Sequence, residues 1–167
     1  MALRKILTDG NPTLNKKCRP VTSFDDRLAT LLDDMKETVV QANGVGLAAP
    51  QVGVLRRVVV VDLGDEIVEL VNPRILEQSG EQDGLEGCLS VPGRFGLVKR
   101  PNVVKIEAQD RHGEWYEYEG EELIARCFCH ELEHLDGHLY TEKAYRMLTE
   151  EEYEELAKQN AKEEGEE

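Results

Sequence analysis

The hydrophobic period of this sequence changes twice, which divides the chain into a helical part, a strand-rich part and a second helical part. Apolar residues recur at helical spacing over residues 28–39, until Asn43-Gly44 interrupts them. Over residues 57–119, β-branched runs and alternating apolar residues predict several strands, and helical spacing returns near Gly120. Strands grouped between helices favour an α+β fold over a doubly wound parallel sheet.

Cap and turn residues predict where several of these elements begin and end. Ser23 and Asp26 form a plausible capping pair for the first, amphipathic helix. Asn72-Pro73 predicts the end of an apolar strand. Gly137 stands where a glycine commonly follows the last turn of a helix, here the helix that begins near residue 120.

Acidic residues are concentrated at the C-terminal end of the chain. The 167 residues carry a net charge of −14, and residues 150–167 contribute −7 of it, from nine Glu and two Lys. Thr149 and Glu152 predict a capping box that opens a last helix, extending to about residue 161. We therefore expect residues 1–167 to form a single domain, with an acidic C-terminal helix and tail from about residue 149.

Composition limits the compartment and the partners. The four cysteines are too few for a disulfide scaffold in a chain of 167 residues, so free thiols in a cytoplasmic protein are expected. The first residues contain no apolar run of signal-peptide length, and no uncharged stretch suits a membrane span. The negative charge argues against nucleic acid as a default partner.

The strongest chemical signal is the sequence His130-Glu131-Leu132-Glu133-His134, an HExxH motif in the second helical part. Histidines four residues apart lie one turn above each other on a helix, so both can bind one metal ion. Glu131 then stands beside the metal and can take a proton from a water molecule that the metal activates. We expect mostly antiparallel strands to surround this helix.

A catalytic metal site usually has three protein ligands, and the third is not in the motif. Tyr140 occupies the position where metzincin proteases have a third histidine. Cys127 shares the helix face of the histidines, but ligands spread along one straight helix can hardly converge on one ion, and Cys129 points away. Cys88, in the glycine-flanked segment Glu86–Ser90, is the better candidate, although an isolated cysteine is more often a small buried apolar residue.

Three segments together resemble the peptide deformylase family. They are GVGLAAPQ at residues 44–51, EGCLS at residues 86–90, and HELEH at residues 130–134, which is followed by Leu-Asp-Gly. Their order and spacing also fit, and the similarity extends to about Tyr140. Cys129 and Glu133 depart from the Gln and Asp that the family usually has there, and we expect altered packing around the site rather than lost activity.

The resemblance implies a metal-dependent hydrolase that removes the N-formyl group from the N-terminal formylmethionine of newly synthesised polypeptides and releases formate. It implies that Cys88, His130 and His134 hold one divalent metal, with Fe2+ expected in the cell and Zn2+, Ni2+ or Co2+ compatible with the same ligands. It makes Glu131 the proton carrier. The side-chain amide of Gln51 and the backbone N–H of Leu89 would donate hydrogen bonds to the formyl oxygen.

The resemblance also implies how substrate is held. The formylmethionyl peptide would pair as an added strand with backbone near Val45-Gly46 and Gly87. By position, we expect Val45, Leu123 and Cys127 to line the methionine pocket and an ion pair between Glu86 and Arg100 to brace the cysteine loop. The expected partners are formylmethionyl nascent chains. The basic residues of segment 94–105 could also contact the ribosome transiently. We expect the protein to be a monomer.

Two other functions use the same residues. A zinc endopeptidase also employs HExxH, but the missing downstream ligand and the Cys88 motif disfavour it. A structural metal site in a binding module would have no use for Glu131 and Gln51, and structural zinc sites usually close all four coordination positions.

Overall fold

Eight strands and three α-helices are formed by residues 2–165, the part of the chain that the computed structural model describes. The helices are α1 (Asp26–Gln41), α2 (Leu123–Leu135) and α3 (Glu150–Gly165). The strands are β1 (Gly46–Ala48), β2 (Val58–Asp62), β3 (Ile67–Ser79), β4 (Gln82–Cys88), β5 (Val91–Arg100), β6 (Val103–Gln109), β7 (Trp115–Glu121) and β8 (Arg146–Thr149). Seven of the strands lie between α1 and α2 in the sequence, and every pairing between them is antiparallel. The prediction of an α+β fold with mostly antiparallel strands is confirmed.

Five strands form the larger sheet, in the order β1-β2-β3-β6-β7. Strand β2 is buried on both faces of this sheet. Successive side chains of a strand point to opposite sides, so its valines reach two different clusters. Val59 and Val61 pack in the cluster that contains α2, whereas Val58 and Val60 pack in the cluster that contains α1. The continuous valine run is therefore the sequence of a strand covered by a helix on each side.

The smaller sheet has the order β4-β5-β8 and its own apolar cluster, built around Val91, Val98 and Tyr140. Helix α2 contacts strands of both sheets, namely β1, β2, β6 and β7 of the larger one and β5 of the smaller. The side chains of α2 consequently meet residues from both sheets, and this position is where the functional side chains come together.

The start of α1 and the end of β3 differ from the predictions. Asp25, not Ser23, caps α1, since its side chain accepts a hydrogen bond from the N–H of Leu28. Strand β3 does not end at Asn72-Pro73 but continues to Ser79, with a break in register after Val71. Asn72 adopts a left-handed conformation there, with φ +50°, so the chain bends and then resumes pairing.

The predictions at Gly137 and at the Thr149 capping box agree with the structure, whereas the end of α3 differs. Gly137 has φ +84° just past α2, and an added Cβ would lie 2.7 Å from the backbone of Asn15, so only glycine fits. The hydroxyl of Thr149 accepts a hydrogen bond from the N–H of Glu152, which confirms the capping box. Helix α3 runs to Gly165 rather than ending near residue 161, and residues 166–167 of the expected tail lie outside the described part. None of the described helices combines the length and apolarity needed to cross a membrane.

Candidate metal centre

Strand β4 and helix α2 bring together three side chains suited to bind one metal ion. Cys88 ends β4, and His130 and His134 lie one turn apart on α2. One ligand atom from each residue lies within 4.8 Å of the others, and Cys88 Sγ is 3.4 Å from His134 Nε2. Two ligands of a single tetrahedral zinc ion with these donor types are separated by roughly 3.6 Å. The donor set and its spacing therefore fit a divalent metal.

The imidazole of His130 is held in place by Glu86. Its Nδ1 lies 2.8 Å from a carboxylate oxygen of Glu86, which leaves Nε2 on the side of the cluster. Arg100 donates two hydrogen bonds to Glu86, at 2.7 and 2.9 Å, and Arg126 donates a third at 2.7 Å. Burial raises the pKa of Glu86, but the hydrogen bonds from Arg100 and His130 outweigh it and lower this pKa to about 2. Glu86 is therefore a permanently charged support.

Glu131 is buried beside the two histidines and is 3% exposed. Burial raises the pKa of its carboxyl group to about 7, against the opposing effect of His130. Within the described residues, its Oε2 has no hydrogen-bond partner, and neither has Nδ1 of His134. Buried polar atoms normally have partners, so Oε2 of Glu131 is available to a bound species, whereas Nδ1 of His134 lies on the side of the ring away from the Nε2 that faces Cys88.

The pKa values of the two histidines are shifted in opposite directions. Burial lowers the pKa of His130, but its contacts with Cys88 and Glu86 outweigh burial and raise it well above the usual value. Burial, and then the charge on His130, lower the pKa of His134 well below that value. His134 is therefore neutral before a metal binds, whereas His130 has to release a proton when a metal takes its Nε2.

Gln51 directs its amide toward the same cluster from a short 3₁₀ helix, Ala49–Val52. Its Oε1 accepts a hydrogen bond from the N–H of Ala48 at 2.9 Å, which fixes the amide so that Nε2 points the other way. Nε2 lies 3.0 Å from Ser90 Oγ and 3.5 Å from Cys88 Sγ. An oriented, uncharged N–H donor therefore stands next to the proposed ligand.

A cavity of about 510 Å³ opens over this cluster. Eleven of the thirteen residues singled out from the sequence line it: Val45, Gly46, Gln51, Glu86, Gly87, Cys88, Leu89, Leu123, Cys127, His130 and Glu131. His134 and Arg100 do not line it, but each contacts a lining residue: His134 lies next to Cys88, and Arg100 binds Glu86. The structure thus brings all three motif segments to one place.

Several lining residues did not stand out in the sequence: Phe95, Arg126 and Tyr153. Arg126 had a usable signal, because it precedes His130 by one helical turn on the buried face of α2. Tyr153 is the lone aromatic residue of an acidic helix, and nothing local indicates that it reaches the cavity. Phe95 carries no comparable signal.

The remaining cysteines of α2 take different positions. The Cys127 sulfur borders the cavity so closely that a Cβ added to Gly46 would lie 2.9 Å from it. Burial raises the pKa of the Cys127 thiol well above its usual 9.0 and also raises that of Cys129. Both thiols are therefore protonated at neutral pH, as expected of residues that pack rather than react. Glu133 forms ion pairs with Arg100 and Lys143, and so joins the support of Glu86.

A Cys-His-His cluster with both histidines buried, beside a carboxylate and an oriented amide at one cavity, defines a metal-dependent hydrolase. Residues 3–150 match the polypeptide deformylase family. The chain therefore belongs to that family, and it is a hydrolase that acts on the formyl-methionine amide.

Individual relatives agree with this assignment. The peptide deformylase of Agathobacter rectalis is 56% identical over 154 residues, which cover 92% of this chain and 98% of the relative. The crystal structure of peptide deformylase from Thermotoga maritima superposes with a TM-score of 0.85 at 39% identity, over 87% of this chain and all of that one. A peptide deformylase structure from Legionella pneumophila gives a TM-score of 0.84 at 40% identity, over 96% and 98% of the two chains.

Proposed function

We propose that this chain removes the N-formyl group from the formylmethionine of newly synthesised polypeptides, with Cys88, His130 and His134 holding one divalent metal. The observation that carries the proposal is the cluster that these three residues form next to Glu131, with Cys88, His130 and Glu131 lining the cavity. In hydrolysis, water adds to the formyl carbon, the bond from that carbon to the amine nitrogen breaks, and formate leaves. The new N-terminal amine takes the proton that the water gives up.

The metal, when bound, lowers the pKa of a coordinated water toward about 7 and polarises the formyl carbonyl. A thiolate with two imidazoles accepts zinc, iron, cobalt or nickel, so the ligands alone do not select one of them. On the family resemblance, we propose Fe2+ as the metal in the cell. Metal analysis of protein purified without oxygen tests this choice.

Glu131 carries the proton in the proposed reaction. Its unpartnered Oε2 can accept a proton from the attacking water and then deliver it to the leaving amine. Gln51 stabilises the negative charge that develops on the formyl oxygen, since its Nε2 is held toward the cluster by Ala48 and Ser90. We assign the backbone N–H of Leu89 to the same oxygen, because Leu89 directly follows the ligand Cys88.

The peptide substrate is proposed to bind as an extra strand between two segments of the cavity wall. One segment is Val45-Gly46 and the other contains Gly87, and both line the cavity. Leu123 and Val45 are 61% and 43% exposed, as expected of apolar side chains that await a methionine side chain. Cys127 supplies a further apolar surface to that pocket.

The proposed function also bears on the oligomeric state, the location and the partners of the protein. We propose that residues 1–167 act as one monomeric domain in the cytoplasm, near ribosomes that present nascent chains. In the basic stretch 94–105, Arg100 is buried against Glu86 and Lys105 pairs with Glu117. Arg94 and Lys99 are exposed, although Arg94 lies 3.7 Å from Asp9, and we assign transient contact with the ribosome to these two residues.

The test is formate release from the peptide formyl-Met-Ala-Ala by the metal-loaded protein. We expect Glu131→Gln to lower the rate by a factor of about 10² to 10⁴, the usual contribution of a proton-transferring side chain. Glu142→Gln, which changes an exposed acid two residues beyond Tyr140, serves as the matched control and should keep the wild-type rate. Equal rates for wild type and Glu131→Gln would overturn the assignment, and cleavage of internal peptide bonds would favour an endopeptidase.

A further inference from the structure

Two aromatic rings from distant parts of the chain stack at the edge of the cavity. Phe95 lies on β5 and Tyr153 in the first turns of α3, and their ring centroids are 4.0 Å apart with an interplanar angle of 16°. Strand β8 brings them together: Phe95 pairs with Leu148 of β8, and the capping box at Thr149 starts α3 directly afterwards. We call Phe95 and Tyr153 the aromatic pair.

The aromatic pair borders the place where substrate is proposed to bind. Both residues line the cavity over the metal cluster. The Phe95 ring lies so close to Gly87 that an added Cβ would be 3.1 Å from two of its carbon atoms. Gly87 immediately precedes Cys88, so the pair stands beside the backbone on which the peptide is proposed to add as a strand.

An extended peptide at this edge would carry its side chains past the two rings. Successive residues of a strand advance by about 3.3 Å and point to alternate sides, so residues after the methionine reach wall segments beyond the methionine pocket. Aromatic rings there offer flat apolar surface, which favours an apolar and above all an aromatic neighbour.

We propose that the aromatic pair forms a subsite for the substrate residues that follow the initiator methionine, and that α3 thereby makes the enzyme prefer an aromatic side chain there. This inference rests on the proposed function. It gives the C-terminal helix, which lies outside all three motifs, a part in selecting substrate through Tyr153.

The experiment compares kcat/KM for formate release from three peptides: formyl-Met-Ala-Ala, formyl-Met-Phe-Ala and formyl-Met-Ala-Phe. For the wild-type holoenzyme, we expect one of the phenylalanine peptides to exceed the alanine peptide by about fivefold, the size of one favourable aromatic contact. In Tyr153→Ala this advantage should fall below about twofold, chiefly through a higher KM. Tyr153→Phe keeps the ring and should keep the advantage.

Matched variants separate selection of substrate from simple docking of α3. Glu154→Ala changes the exposed neighbour of Tyr153 on the same helix and should keep both the rates and their ratio. Tyr153→Leu preserves apolar bulk for docking α3 but removes the ring, so its ratio should fall as in Tyr153→Ala while its melting temperature stays near that of the wild type. Phe95→Ala provides a second route to the same loss.

Failure of this inference differs visibly from failure of the proposed function. If the wild type releases no formate from any peptide, the proposed function is wrong. If it releases formate from all three peptides with equal kcat/KM, or if the advantage persists in both Tyr153→Ala and Phe95→Ala, the subsite is wrong and the proposed function stands.

Discussion

Glu86 has more charged partners than the sequence motifs indicate. Its carboxylate receives Arg100 and Arg126 and contacts His130, and all four side chains are buried. Such a group is stable only while its partners are present, because an unpaired buried charge is costly. The pairing with Arg100 agrees with the expectation from the family, whereas Arg126 is an addition that the structure reveals.

Arg126 is therefore expected to be important for stability as well as for the site. Its Nη1 donates to Glu86 and to the backbone oxygen of Val98 at 2.9 Å, so Arg126→Ala leaves a buried carboxylate short of one cation. We predict a loss of about 3 kcal/mol in the free energy of unfolding, measured by denaturant titration. Arg27→Ala, at an exposed position of α1, should change it by less than about 0.5 kcal/mol. A loss for Arg126→Ala no greater than that of the control would contradict the prediction.

Gly46 is a second residue at which a small change should have a large effect. An added Cβ would lie 2.9 Å from both the Cys127 sulfur and Cγ of Glu131, so Gly46→Ala must displace the proton carrier. A displacement of about 1 Å can lower activity by about 10²-fold, and we predict a fall of that size in kcat/KM for formate release. Gly44→Ala is the matched comparison, because its Cβ would meet only ends of the Leu89 and Val39 side chains, which can move. Equal losses in the two variants would count against the close contact at Gly46.

At the scale of elements, local patterns predicted α1, α2 and the capping box of α3, because each depends on residues a few positions apart. The course of β3 beyond Asn72 was not predictable locally. Asn72 is held by hydrogen bonds to the backbone of Val21 and to Gln109, both far away in sequence. The three motif segments could be assigned to one site by resemblance, but the arrival of Tyr153 at that site depends on how β8 returns the chain to β5.

Helix α1 is tied to the larger sheet by a charged cluster around Glu69 of β3. Arg111 and Lys36 both bind Glu69, and Arg111 also donates to Asp33 of α1 at 2.8 Å. Burial raises the pKa of Glu69, but the hydrogen bonds from Arg111 and Lys36 outweigh it and lower this pKa below its usual 4.5. A carboxyl with a lowered pKa in the folded state contributes stability above its unfolded pKa and loses it as the pH falls.

We therefore predict that the unfolding free energy of the wild type falls as the pH is lowered below about 4.5, in part through Glu69. Glu69→Gln should make this fall shallower, and Arg111→Met should do the same because it removes the partner that lowers the pKa. The effect of the double variant should be smaller than the sum of the two single effects, since both changes remove the Glu69–Arg111 interaction, while the contacts of Glu69 with Lys36 and of Arg111 with Asp33 are lost separately. Urea titrations between pH 3 and 7 measure the slopes. An undiminished slope in Glu69→Gln would assign the acid sensitivity to other carboxyls.

On the scale of the whole molecule, the metal cluster joins parts that belong to different sheets. Cys88 comes from the smaller sheet, whereas α2, which carries both histidines, packs mainly on the larger one. The cluster can form only when the smaller sheet docks against α2, so the site depends on tertiary structure rather than on any one segment. A ligand that binds the folded state alone stabilises that state by mass action.

Metal removal should consequently affect stability as well as activity. At a free metal concentration of about 100 times Kd, binding contributes about 2.7 kcal/mol, which corresponds to roughly 5 to 10 °C in melting temperature for a chain of this size. We predict that a chelator abolishes formate release and lowers the melting temperature by this amount, and that added Fe2+ under anaerobic conditions, or Zn2+, restores the melting temperature. Cys88→Ser should lose most of the thermal shift, whereas Cys129→Ser, which changes a buried cysteine of α2 outside the cluster, should retain it. A full metal-dependent shift in Cys88→Ser would exclude this thiolate as a ligand, because the stabilisation would then arise from a site without it.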